Sequence, residues 1–405
     1  MKFNSSKQDK IQKKYKKSEL LAPAGSFSSL IAAITAGADA VYLGLKEFNM
    51  RAGAKNFSIK ELYKIKEICK KNKVKIYLTL NTIIYDNELK KIEKLIKKVK
   101  NYVDAIICWD LAIIELCKKY KVPIHISTQA SIANKKAALF YKKLGAERAV
   151  LARELNIKQI KEISKIIDTE IFIHGAMCVS ESGRCFTSQF LFGKSANRGE
   201  CLQPCRRSYE IKDDEGNQLK LKNKTVMSAK DLCSLPFMEQ LKRAGVKAFK
   251  IEGRNREPEY VDTVTRAYRK ALDKKLSKKE IELCLKELNQ VYNKGFSSGF
   301  FLGTPTNDDF SKVQNSSASH KKEFIGKIVH YFDKINVAAI RISSGHIKIG
   351  DKLIILGDKT GIVKHKIERM EINKEQVKEA KKGQEVGILI PNVKKGDKVY
   401  LSIKR

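Results

Sequence analysis

An α/β fold is predicted for this 405-residue chain: a (β/α)8 TIM-like barrel with a long Cys-rich insertion, followed by a small C-terminal all-β barrel. Three observations predict it. Short β-branched runs alternate with amphipathic helical stretches, which demands parallel pairing through crossover helices. Four of the nine cysteines crowd into one interval between two of those runs. Beyond residue 323 the pattern changes to short alternating strands broken by Ser-Gly and Gly-Asp turns.

The strands are expected at Glu19–Ala22, Ala38–Leu43, Lys75–Leu80, Ala105–Cys108, Ile124–Ser127, Arg148–Leu151, Glu170–Ile173 and Ala248–Ile251. Helical periodicity fills Ile59–Lys70, Asn87–Lys100, Asn134–Lys143 and Ile157–Ile167, and a further helix starts at Pro258. Eight such strands suit a closed barrel better than an open sheet. The expected divisions are a basic tail (1–18), the barrel (19–302) with its Cys-rich segment at 174–207, a Ser/Asn/Asp-rich linker (303–322) and the β-barrel (323–405). In a parallel barrel the residues just after each strand line one rim, where chemistry is placed. Here they include Asn81, Trp109–Asp110, Thr128–Gln129, Arg153, His174 and Glu252–Arg254.

The formal net charge of +36 implies long-range attraction to a polyanion, with RNA the obvious candidate. Lysine spread over many helices is also a compositional habit, so the arginine clusters Arg206–Arg207 and Arg254–Arg256 weigh more. No run of 18 uncharged apolar residues is present, which argues against a membrane span. The basic N-terminus lacks the apolar core of a secretory signal. A cytoplasmic protein with reduced cysteines is therefore expected.

The segment EIFIHGAMCVSESGRCFTSQFLFGKSANRGECLQPCRR holds Cys178, Cys185, Cys201 and Cys205. Four thiolates are the donor set of a tetrahedral zinc site or an iron–sulfur cluster. Their spacing is too wide for a zinc ribbon, with its cysteine pairs two residues apart, and suits a loop wrapped round a larger [4Fe–4S] cluster. Gly175, Gly183, Gly193 and Gly199 supply backbone freedom for that wrapping. Cys233 is the alternative to Cys205 as fourth ligand. The plainer reading is four buried or free thiols.

Three blocks carry a resemblance: ELLAPAGSFSSLIAAITAGADAVYLGLKEFNMRA, HGAMCVSESGRCFTSQFLFGKSANRGECLQPCRR and SAKDLCSLPFMEQLKRAGVKAFKIEGRNREPEYVDTVTRAYR. In this order they resemble the peptidase U32 (collagenase-like protease) family from Glu19 to Asp273. Thr187 departs from the aliphatic residue usual there. The C-terminal pattern resembles the second-domain barrel of translation elongation factors. The resemblance implies an iron–sulfur cluster on the cysteines. It further implies prephenate-dependent hydroxylation of the wobble uridine of tRNA to 5-hydroxyuridine, with the anticodon stem-loop as partner. Hydroxylation of a ribosomal RNA cytidine and peptidase activity are the alternatives.

A small dicarboxylate such as prephenate needs cationic groups, and arginine suits bidentate carboxylate capture. Arg51, Arg153 and Arg254 follow the second, sixth and eighth strands and are expected on one rim, with Glu252 beside them. Simple pairing is the competing expectation: Arg153 with Glu154, Arg254 with Glu252 or Glu257. His174 is a candidate proton donor or a contact to the cluster; Gln129 and Asn81 would read a base edge or orient the acid. For a peptidase, His174 beside Cys178 or Ser180 is the one plausible local pair.

Overall fold

Strands β1 (Glu19–Pro23), β2 (Ala40–Gly44), β3 (Lys75–Thr79), β4 (Ala105–Cys108), β5 (Ile124–Ile126), β6 (Arg148–Val150) and β7 (Asp168–Gly175) pair in sequence order, each parallel to the next. The chain then makes its long excursion, which includes β8 (Asp231–Cys233), and returns as β9 (Ala248–Ile251). β9 pairs in parallel with both β7 and β1, so the ring closes. β8 stays outside it, antiparallel to the end of β7 and parallel to β10 (Phe296–Ser297). This computed structural model describes residues 18–181, 184–210, 212–217, 227–313 and 315–405. The basic tail expected at the N-terminus, save Ser18, and Gly183 lie outside the described residues.

Helices α1 (Phe27–Thr35), α2 (Ile59–Lys71), α3 (Leu89–Val99), α4 (Leu111–Lys119), α5 (Lys135–Lys143) and α6 (Ile157–Ile163) alternate with the strands. Local chemistry starts them. Asn134 caps α5 by accepting from Ala137 N, and Asn156 and Gln159 bond reciprocally at the start of α6, which satisfies N–H groups a first turn leaves open. Two short helices, α7 (Thr187–Phe192) and α8 (Met238–Arg243), belong to the excursion, and α9 (Pro258–Asp273) and α10 (Lys278–Leu288) follow β9. No helix among the described residues is long and apolar enough to cross a membrane.

The period of two along each strand decides what each face buries. Leu20, Ala22, Val41, Leu43, Ile76 and Leu78 join the large core beneath the helices, while Leu21, Ala40, Tyr42 and Tyr77 pack inside the barrel. The lower lumen is polar but closed. Arg148 reaches Glu19 at 2.7 Å and Glu170 at 3.3 Å, Lys250 reaches Glu170 at 2.8 Å, and Tyr77 donates to Glu19. Burying these charges would be costly unpaired; here each finds its partner.

The C-terminal region forms an antiparallel sheet of eight strands, beginning with β11 (His320–Phe332), around its own apolar core. It leans on the first barrel through Gly361–Lys366. Lys364 contacts Thr263 at 2.8 Å and Asp262 at 3.3 Å, and Gly361 lies against Ile31 and Ala32 of α1. Part of the segment expected as a linker, from Asp309 to Ser319, is bound to the barrel at several described residues. Ser311 N donates to Ser228 O at 2.7 Å, and Ser317 and Ser319 donate to Asn293 and Asn289.

Candidate active site

Glycines make the room at the barrel mouth. A Cβ on Gly44, at the end of β2, would run into the guanidinium of Arg254, and one on Gly25 into the Arg254 carbonyl. Arg254 is 4% exposed and donates to Thr79 Oγ1 at 2.9 Å. Neither expected carboxylate partner, Glu252 or Glu257, pairs with it; Glu252 takes Arg51 instead, at 3.0 Å. Arg153 does not pair with Glu154. Its guanidinium lies 4.0 Å over the Phe172 ring and donates to Ala176 O at 2.8 Å.

The electrostatics follow from that count. Burial alone would raise the Glu252 carboxyl, yet Arg51, Arg153 and Arg256 together hold it below its usual range. Burial lowers the guanidiniums of Arg153 and Arg254, the latter to about 10, with Arg51 adding repulsion to both. Burial, then the Glu252 charge, keeps the Tyr42 phenol protonated, and it donates to Ile251 O at 2.9 Å. Four arginines, Arg51, Arg153, Arg254 and Arg256, thus face one carboxylate. Such a mouth favours an anion.

The Cys-rich excursion lies across this mouth, pinned by side chains at several points. Arg184 donates to Gln129 O and sits 5.2 Å over Trp109; Arg198 pairs with Glu88 beyond β3. Gly199 O accepts from Ala52 N at 3.0 Å, and a Cβ there would strike Asn49 O, so glycine is needed at that approach. Arg206 ties Met177 O to Ala229 O.

The four cysteines of the segment lie in one electrostatic neighbourhood. Burial raises the Cys205 thiol, Arg206 opposes that, and Cys178, Cys201 and Cys185 each raise it further, as thiols close enough to repel one another would. Cys178 and Cys201 are exposed, Cys185 and Cys205 half-buried. Thr187 N and Gln203 N point at the sulfurs of Cys185 and Cys201, both at 3.4 Å. Thr187 and Ser180 hydroxyls lower the Cys185 thiol against the effect of burial. Among the described residues no three His, Cys, Asp or Glu side chains are drawn in as tightly as a single ion requires. Four thiols, with backbone N–H groups aimed at two of the sulfurs, are donors of the type a soft centre takes. Cys233 sits elsewhere, buried under Tyr268 OH at 3.7 Å, its thiol raised by burial to about 11.

The remaining expected residues divide. Asn81 and Gln129 are on the rim but buried and engaged: Asn81 Oδ1 accepts from Met50 N at 3.2 Å, and Gln129 Oε1 accepts from Ser127 Oγ. Both brace the loops that carry Arg51 and the excursion. His174 does not face the mouth. A register shift late in β7 turns it outward, where Nδ1 meets Tyr268 OH at 3.2 Å and the ring is enclosed by Tyr260, Tyr268 and Phe296. Burial, then Arg256, holds this histidine neutral, down to about 3. Sequence reasoning passed over Tyr42 and Thr79; strand alternation alone would have turned both inward with Arg254.

The comparisons agree with the geometry. The family model described as Peptidase family U32 matches residues 25–311, and that for elongation factor Tu domain 2 matches 336–403. A "Collagenase" from Porphyromonas gingivalis is 40% identical, covering 96% of this chain and 98% of its own length. The "tRNA hydroxylation protein P1" of Bacillus subtilis is 35% identical, with 87% and 86% covered. The "23S rRNA 5-hydroxycytidine C2501 synthase" of Escherichia coli is 42% identical over 63% of this chain and 39% of its own length. On the family match, and on relatives aligned nearly end to end, this chain belongs to peptidase family U32.

Proposed function

We propose that this chain is an RNA-modifying enzyme that hydroxylates the wobble uridine of tRNA to 5-hydroxyuridine, with prephenate as co-substrate and a [4Fe–4S] cluster on Cys178, Cys185, Cys201 and Cys205. One observation carries the reading: a buried Arg254 without a salt bridge at the barrel mouth, which shares Arg51, Glu252 and Tyr42 as neighbours with Arg153, itself close to Cys178 of the excursion. A bound cluster would supply a redox-active or Lewis-acidic centre there.

The chain's own groups do the rest. Arg254 and Arg153 receive the two carboxylates of the dicarboxylate, bonds strengthened by charge and by exclusion of water. Glu252, ionised and tied to Arg51, cannot donate a proton; it repels a carboxylate from its own side and so orients the acid. Tyr42, held protonated, has its one O–H committed to Ile251 O and offers only its oxygen, as an acceptor, at the floor of the mouth. The strongly positive chain draws in the RNA, and a base splayed from a single-stranded loop reaches a mouth of this kind far more readily than a paired one.

The tRNA-directed relative matches this chain over most of both lengths, which favours tRNA over the ribosomal cytidine of the partial match. Reduced thiols and a tRNA substrate go with a cytoplasmic location. Peptide hydrolysis finds less support, because His174 is enclosed by aromatic rings with its Nδ1 against Tyr268 instead of beside Cys178 or Ser180.

Mass spectrometry of nucleosides from a deletion strain tests the reading. Loss of 5-hydroxyuridine derivatives, restored by the wild-type gene but not by Cys201→Ser, is expected. Their persistence contradicts it; loss of 5-hydroxycytidine from ribosomal RNA instead selects the alternative. Anaerobically purified protein should hold iron and sulfide, depleted by Cys205→Ser and retained by Cys233→Ser.

A further inference from the structure

The short helix α7 presents an apolar surface that the barrel does not use. Phe190 is 84% exposed, Phe186 59%, Leu191 54% and Leu202 49%. The Phe186 and Phe190 rings are 6.1 Å apart and inclined by 33°, a stepped pair whose outer faces are open. Patches of this kind on a soluble protein mark an interaction site. This one adjoins Cys185 and Cys201 at the barrel mouth, because Ser188 of the same helix bonds the Cys201 sulfur and Leu202 N.

The surroundings select the occupant. Arg207 stacks its guanidinium 4.7 Å from the Phe192 ring, and Arg198, paired with Glu88, lies 4.9 Å over Tyr85, itself 54% exposed. Lys194, one residue past the helix cap Gly193, pairs with Glu200 at 3.5 Å at the edge of the patch. Protein–protein interfaces exclude lysine from their apolar centres, and a membrane-seeking face needs a longer amphipathic helix than these six residues give. Open aromatic rings interleaved with guanidiniums instead match unstacked bases and the phosphates that join them.

We infer that Phe186 and Phe190 form a stacking platform for a base of a single-stranded RNA loop, next to the nucleotide that enters the barrel mouth. This rests on the RNA reading above and adds a recognition surface to it. Phe190 is 84% exposed and Phe186 59%, so truncation should leave the fold intact, checked by circular dichroism and melting temperature.

The test is fluorescence anisotropy of the full chain with two RNAs of equal length, an anticodon stem-loop and a fully paired hairpin stem. A second readout is 2-aminopurine placed in the loop, quenched on stacking. Wild type should bind the stem-loop more tightly than the paired RNA. Phe190→Ala should weaken stem-loop binding by about ten-fold, leave paired-RNA binding unchanged and abolish the quenching; Phe190→Tyr should restore all three. Equal stem-loop affinity and quenching in wild type, Phe190→Ala and Phe186→Ala overturns the platform while leaving the RNA reading standing. No stem-loop binding by wild type overturns both. Phe190-dependent binding to phosphatidylglycerol vesicles, with RNA affinity unaltered, overturns the platform in favour of a membrane contact.

Discussion

The two ends of one barrel lumen use the same residue types to opposite effect. At the lower end, Glu19 and Glu170 are met by Arg148 and Lys250 at 2.7–3.3 Å, and the charges cancel locally. At the mouth, Arg51, Arg153, Arg254 and Arg256 face Glu252, and Arg51 takes it. Matched buried charge is structure; unmatched buried charge is a site. Position within the lumen, not composition, tells them apart, since the lower end is closed by Tyr77 and Lys75 while the upper end opens to the excursion.

Breaking the matched end should cost the most. Glu170→Ala strands Lys250, 3% exposed, without its carboxylate and should lower stability by about 3–5 kcal/mol, read as a reduced urea midpoint. At the unmatched end the same kind of change should do the reverse. Arg254→Met removes a buried cation that has no salt bridge of its own, so the melting temperature should hold or rise. Modification activity should fall about 100-fold, the loss of one charge-assisted contact to a substrate carboxylate at about 2.7 kcal/mol. If Arg254→Met unfolds the protein as Glu170→Ala does, the distinction between the ends is lost.

An effect smaller per pH unit concerns His174, whose neutral form is enforced by burial. Its pKa is about 3 in the folded chain against about 6.5 when unfolded. Between those values the unfolded chain binds the proton and the folded chain does not. Its contribution is therefore complete above pH 6.5 and is lost as pH falls towards 3, by up to about 1.4 kcal/mol per unit. Urea titrations across pH 4–7 should show that slope in wild type and a shallower one in His174→Gln.

The barrel was legible because each strand is a β-branched run and each helix carries its own apolar stripe. All eight expected strands overlap observed ones, and the excursion falls between the seventh and the last. What escaped was set by tertiary contact. β8 is three residues long and exists through pairing with β7, so no local pattern announces it. The outward turn of His174 follows from a register shift against β9 that periodicity would not foretell. Arg254 was legible as a rim residue. Its lack of an acidic partner was not, because Glu252 stands two positions away in sequence and yet turns to Arg51.

The most direct test is isothermal titration of prephenate into the anaerobically purified full chain, in wild type and in Arg254→Met. One saturable site in wild type, weakened about 100-fold in the variant while its melting temperature holds, is the result predicted from the unpaired guanidinium. Equal affinity in the two proteins, or no binding to wild type, would contradict the assignment of the barrel mouth as a dicarboxylate site.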